Sequence, residues 1–157
     1  MSTINFPISP VVGQIYTFQG KSWQFNGIGF EALPATVTAT LQCFPIACGD
    51  ETTGVTVGPA KVTFRIPYGF ALVEVRASCN STSDDPLVVD IKKGGVSILS
   101  TKLTIDQFSK TSVTSTVPAV ISDASFGGDA EITIDIVATA TFDPVAGLKV
   151  YLIGVKV

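Results

Sequence analysis

"VTFRIPYGFALVEVRASCN", residues 62–80, decides the fold. Val62, Phe64 and Ile66 alternate with Thr63 and Arg65 until "PYG" interrupts; past the break Val73, Val75 and Ala77 fall on one face and Leu72, Glu74 and Arg76 on the other. Successive side chains of an extended chain point to opposite sides, so a period of two in β-branched and aromatic residues marks strands with one face in a core.

The same pattern continues downstream. "PLVVDIKKGGVSILSTKLTI", residues 86–105, reads as two strands joined at "KKGG", where Gly94 and Gly95 supply the positive φ of a tight hairpin turn. "EITIDIVATATF", residues 131–142, alternates Ile132, Ile134 and Ile136 against Thr133, Asp135 and Val137. "GLKVYLIGVKV", residues 147–157, alternates Leu148, Val150, Leu152 and Val155 less regularly. Turn clusters "NSTSDDP", "SDASFGGD" and "DPVAG" separate these strands, and no helical stripe is sustained beyond one turn near Asp123 to Phe126. Strands at this spacing predict an all-β fold, an antiparallel sandwich in residues 61–157.

Upstream, "ATVTATLQCF", residues 35–44, reads as a strand, while residues 49–60 are a loop, either joining two modules or lying on the surface of one. Residues 32–60 are thus a connection between the sandwich and an N-terminal module, residues 1–31. In that module "IYTF" and "SWQF" form a β-hairpin whose alternate residues Tyr16, Phe18, Trp23 and Phe25 supply a small apolar face. A lone hairpin is barely stable, so these rings with Phe30 either close a miniature cluster of their own or form an interface with the sandwich or a neighbouring subunit.

Charged residues make up 15% of the 157 positions against 46% apolar, well below the roughly 25% charged of ordinary soluble chains. Such a surface suits a subunit covered by copies of itself or by neighbours, although a compact all-β monomer rich in Val, Ile and Thr shifts composition the same way. The formal charge of −3 carries no cluster of Lys or Arg, which argues against nucleic acid. No apolar run is long enough to cross a bilayer, and "MSTINFPISP" lacks the basic and apolar regions of a secretory leader, so the expectation is no membrane and a cytoplasmic site of synthesis. Cys43, Cys48 and Cys79 read as buried free thiols, although a bridge across "CFPIAC" is sterically open.

Histidine is absent, which removes Ser-His-Asp and Cys-His arrangements and His-based zinc sites. Carboxylate chemistry would fall to Asp84 with Asp85, Asp123 with Asp129 and Glu131, or Asp90 with Asp135. The first two sets sit in turn clusters, where Asp reverses the chain or ties a calcium ion, and the third sits on strands facing solvent. The expectation is no enzyme, no cofactor and no metal.

The run "FPISPVVGQIYTFQGKSWQFNGIGFE", residues 6–31, resembles the N-terminal module of many bacteriophage structural proteins: Pro10, Gly13, Tyr16, Phe18, Gly20, Trp23, Asn26 and Gly27 match, while Phe30 stands where Trp is frequent. Residues 62–78, 88–106 and 131–154 resemble a β domain of phage tail fibre, baseplate and capsid decoration proteins. The resemblance implies a jelly-roll-like sandwich that trimerises, and a virion location. The chain has neither the heptads nor the collagen-like repeats of a fibre shaft, which favours a capsid decoration protein bound to the major capsid protein over a short tail or baseplate component binding a host surface.

Overall fold

The computed structural model describes residues 4–33 and 40–157 and divides the chain into two compact units, residues 1–38 and 39–157. All regular structure among the described residues is β-strand.

In the first unit, β1 (Ile15–Phe18), β2 (Lys21–Phe25) and β3 (Phe30–Ala32) form an antiparallel sheet in that order. Phe18 pairs with Lys21 across Gln19 and Gly20, both at positive φ (46° and 74°), the conformation that a two-residue hairpin turn demands. Asn26 Oδ1 accepts from the amides of Ile28 and Gly29, each at 2.9 Å, and so returns the chain into β3. The third strand supplies what the hairpin alone lacks and carries the unit past the expected boundary at residue 31.

The second unit is a long antiparallel hairpin rolled into two facing sheets. Its outermost pair is β4 (Leu41–Ala47) with β14 (Lys149–Lys156). Inside follow β5 (Gly58–Arg65) with β13 (Glu131–Ala138), β6 (Phe70–Ser78) with β12 (Ser125–Phe126), and β7 (Leu87–Lys93) with β10 (Leu103–Ile105). Lateral pairing of β14 with β6 and of β13 with β7 gives the orders β12-β6-β14-β4 and β10-β7-β13-β5, the two sheets of a jelly roll. Short strands β8 (Val96–Ser97), β9 (Leu99–Thr101) and β11 (Val120–Ile121) complete the set. Leu72, Val75, Val150 and Leu152 from one sheet meet Val89, Ile91, Ile132, Ile134 and Ile136 from the other in one buried core.

Several expectations are corrected. β4 is a full edge strand of the sandwich and β5 begins at Gly58, so residues 32–60 are not simply a connection; the loop from 48 to 57 lies within the second unit. Residues 35–39 of "ATVTATLQCF" lie outside the described residues. The helical turn near Asp123 is replaced by β12: the amides of Ser122 and Asp123 both donate to Ile98 O (2.8 and 3.2 Å), and Ser125 and Phe126 then pair with Ala71 and Phe70. The face assignment along β6 is half wrong. Ile153 pairs with Glu74 and Gly154 with Leu72, which leaves Val73 as a bulge. One extra residue reverses the phase, so buried Phe70 and Leu72 share the core face with Val75 and Ala77 while Val73 is 60% exposed. On β14, Gly154 rather than Val155 takes the inward position after Leu152.

The strand expected after "KKGG" is broken. β8 continues the hairpin through Lys93↔Val96, but the chain leaves the ladder at Leu99–Thr101 to pair with β11 and rejoins β7 at Leu103.

Candidate interaction surface

The aromatic residues singled out in the first unit share one face of its sheet, with Tyr16 directly opposite Trp23 and Phe25 opposite Phe30. Phe6, which sequence reasoning missed, completes them: its ring stacks on Phe30 at 4.4 Å and meets Tyr16 and Trp23 edge-on at 5.4 and 5.6 Å. Phe25 reaches Phe30 at 5.3 Å. Edge-on and stacked pairs at these separations are favourable ring geometries, so the rings close a cluster within the unit. Phe18 lies on the same face, half-buried, beyond the cluster. The clue in the sequence was an aromatic next to Pro7 just ahead of the hairpin.

The acidic candidates are dispersed, and all of them except Asp84 and Asp85 are paired with cations. Arg65 holds both Asp129 (3.4 Å) and Glu131 (3.0 Å). Lys93 pairs with Asp123 and, with the Ser125 amide, keeps that carboxyl below the usual range. Asp84 and Asp85 are exposed on the bend before β7. No group of three or more potential metal ligands forms among the described residues.

Asp90 and Asp135 do not face solvent. They are direct partners across β7 and β13, and only 4% and 7% exposed. The excursion at 99–101 brings Ser97 and Lys102 onto Asp90 from either flank, at 2.6 and 2.7 Å. Lys92 reaches Asp135 at 2.6 Å, and the bulged Ala60 (φ 46°) turns its amide onto the same carboxylate at 2.7 Å. Burial pushes the Asp135 carboxyl up, but Lys92, the Ala60 amide and Lys102 together outweigh it and hold the group low. Two like charges side by side on a sheet are tolerable only with such partners.

This network lies on the outer face of the β10-β7-β13-β5 sheet, with Thr63, Arg65, Glu131 and Thr133 beside it. The outer face of the other sheet is different. β4 presents Leu41, Cys43, Pro45 and Ala47, β14 presents Tyr151, Ile153 and Val155, and β6 adds Ala71 and Val73. Glu74 and Arg76 on this face pair with each other at 2.6 Å, and Lys149 at its end pairs with Glu51 at 2.5 Å. Leu41 is 62% exposed and Cys43 is exposed, which corrects the expectation that all three thiols are buried; Cys48 and Cys79 are buried and no disulfide forms. The signal for this face was in "LQCFPIA" and "VYLIGV", where both alternating sets are apolar, the pattern of strands covered on both sides.

At the margin of that face lies a groove of about 430 Å³, floored by Val75 and Leu103 and walled by Val73, Val113, Pro118 and Val120. It exists because β12 covers β6 only at Phe70 and Ala71. Farther along, Ala77 donates to Ser112 Oγ (2.8 Å) and accepts from the Ser112 amide (3.0 Å). Between those contacts, strand alternation points the amide and carbonyl of Val75 the same way as those of Ala77, into the groove.

No family model, no curated protein and no solved structure matches the chain.

Proposed function

We propose that the chain is a non-enzymatic structural subunit of a bacteriophage particle, a homotrimer that decorates the capsid, with the outer face of β4, β14 and β6 covered by neighbouring copies. The observation that carries this reading is the contrast between the two outer faces. One is a ladder of paired charges, and the other is apolar along β4, β14 and the Ala71–Val73 part of β6, with a single Glu74–Arg76 pair at its margin. An isolated soluble domain rarely leaves a contiguous apolar patch in water, and covering each Val, Leu or Ile there is worth about 1.5–3 kcal/mol. The placement on a phage particle is supported by the resemblance carried by Pro10, Gly13, Tyr16, Phe18, Gly20, Trp23, Asn26 and Gly27.

Light scattering over a dilution series tests the assembly. The wild-type chain should be trimeric, and Ile153→Asp should be monomeric yet keep the far-ultraviolet circular dichroism of a folded chain, because Ile153 points away from the core. A wild-type chain that stays monomeric at high concentration ends the reading. Quantitative mass spectrometry of the particle separates head from tail, since a head decoration outnumbers a tail part many times over.

A further inference from the structure

Val75 is 7% exposed, and among the described residues nothing bonds its amide or its carbonyl. Both groups point away from β14. Ala77, two residues on, uses its own pair on Ser112, and Leu72 donates to Ala124 O at 2.7 Å, so the open stretch of this edge runs from Val73 to Arg76. Backbone donors and acceptors at such burial are almost always paired. A bare pair facing a cavity of about 430 Å³ therefore marks a place for a ligand that brings one acceptor and one donor. The two long strands at the other margin of the sandwich are built differently. Cys48 donates to Leu148 O at 2.8 Å, which by alternation turns Pro45 outward, where it has no N–H to offer. β5 is kinked at Ala60 (φ 46°), whose amide is taken by Asp135. Prolines and kinks of this kind blunt an edge against a further strand. Past the Val73 bulge, the edge at Val75 carries neither device.

We propose that the groove takes a short extended segment of a partner protein, added beside β6 as a further strand. In an antiparallel ladder the residue opposite Val75 exchanges both hydrogen bonds with it and sends its side chain to the same, inner side. Leu103 and Ile121 line that side, so the residue is aliphatic. Its two neighbours point outward beside Glu74 and Arg76, which already neutralise each other at 2.6 Å, so they are uncharged polar residues such as Thr. The stretch between the Ala124 and Ser112 contacts has room for about three residues at roughly 3.3 Å each. The ligand is thus an uncharged segment in extended form, polar, aliphatic and polar in turn. A second copy of this chain is the less suited occupant, because Pro45 and the Ala60 kink deny it a clean edge to lend. The inference does not depend on the assembly reading above, since a monomer carries the same groove.

The test follows the Val75 amide by nuclear magnetic resonance in the full-length chain, with acetyl-Thr-Ile-Thr-amide as the probe. Saturating peptide should slow hydrogen exchange at Val75 about 10-fold or more, with half-saturation in the millimolar range expected of so small a ligand. The same peptide methylated on its Ile nitrogen cannot donate to the Val75 carbonyl and should leave the exchange unchanged. Val113→Asp, at an exposed wall of the groove, should keep the far-ultraviolet circular dichroism of the folded chain and lose the protection. No slowing at about 10 mM peptide overturns the proposal and leaves water as the partner of Val75. Equal protection by both peptides also overturns it, because apolar contact without strand pairing then explains the binding. Protection that survives Val113→Asp places the peptide elsewhere, and protection that grows with the concentration of the chain itself, without peptide, assigns the groove to a second copy; either result overturns it too.

Discussion

Replacing Gly154 by Ala tests the bulge that shapes both the apolar face and the groove. Gly154 is buried on the inner side of β14, opposite Leu72, at the point where β6 inserts its extra residue. A Cβ there would stand 2.2 Å from Ala71 O and 2.8 Å from Phe70 Cζ, where ordinary contact begins near 3.4 Å. The β6 backbone would have to retreat by about 1 Å, and Phe70 has little room to follow because its ring lies against Phe44 and Phe126. Overpacking of this kind costs about 1–3 kcal/mol, and each ladder hydrogen bond disturbed adds about 1 kcal/mol. We expect a loss of about 3 kcal/mol, roughly a 150-fold rise in the unfolding constant and a melting point lower by roughly 10 °C. The assay is urea unfolding followed by far-ultraviolet circular dichroism. Trp23, the chain's single Trp, belongs to the first unit, so its fluorescence follows that unit and should not shift. A loss below about 1 kcal/mol would refute the idea that close approach of β6 to Gly154 sustains the bulge.

Acid should weaken the sandwich through Asp135, through Asp123, and through Asp106, which accepts from the Thr116 amide (2.8 Å) and the Ser115 hydroxyl (3.0 Å). Asp135, Asp106 and Asp123 are all held below the usual carboxylate range in the folded chain, so their contribution is complete above about pH 4, the unfolded value, and fades as pH falls through the lower folded values. Urea midpoints should be level from neutrality to about pH 5 and drop below pH 4, and Lys92→Met should lower the neutral midpoint while flattening the acid slope. Among the thiols, burial pushes Cys48 up to about 11 and raises Cys79 as well, whereas Cys43 is exposed. A thiol reagent should titrate one group per folded monomer and three after unfolding, and the proposed assembly should slow the reaction of Cys43 because that thiol lies on the apolar outer face.

The period-two pattern was enough to read the all-β class, the inward set Ile132, Ile134 and Ile136, and the turn at Gly94 and Gly95, because each depends on residues close in sequence. The Val73 bulge was not legible. Its cause is a partner strand distant in sequence, with a glycine at the one place where β6 comes too close for a side chain. Asp90 and Asp135 looked solvated for a similar reason: an outward position on a strand does not show that an excursion at 99–101 and a kink at Ala60 fold over it. The aromatic residues of the first unit were read correctly as a face, but their closing ring, Phe6, lay outside the alternating segment. The apolar outer face was present in the letters of β4 and β14 and hidden by the assumption that every strand has a wet side.

The nested pairing of the jelly roll sets an order of events for a growing chain. Hairpin β7–β10 can close soon after synthesis, since its strands are near neighbours, and β5 must wait for β13. Leu41 and Ala71 wait longer still, because the strand that lies between them is the one carrying Val155. Until that strand leaves the ribosome, β4 and β6 have no ladder between them and the apolar residues of both lie open. The step that completes the four-stranded sheet thus also turns these open residues into the face proposed to meet other copies, whereas a partly made chain carries them as unpaired edges prone to aggregation.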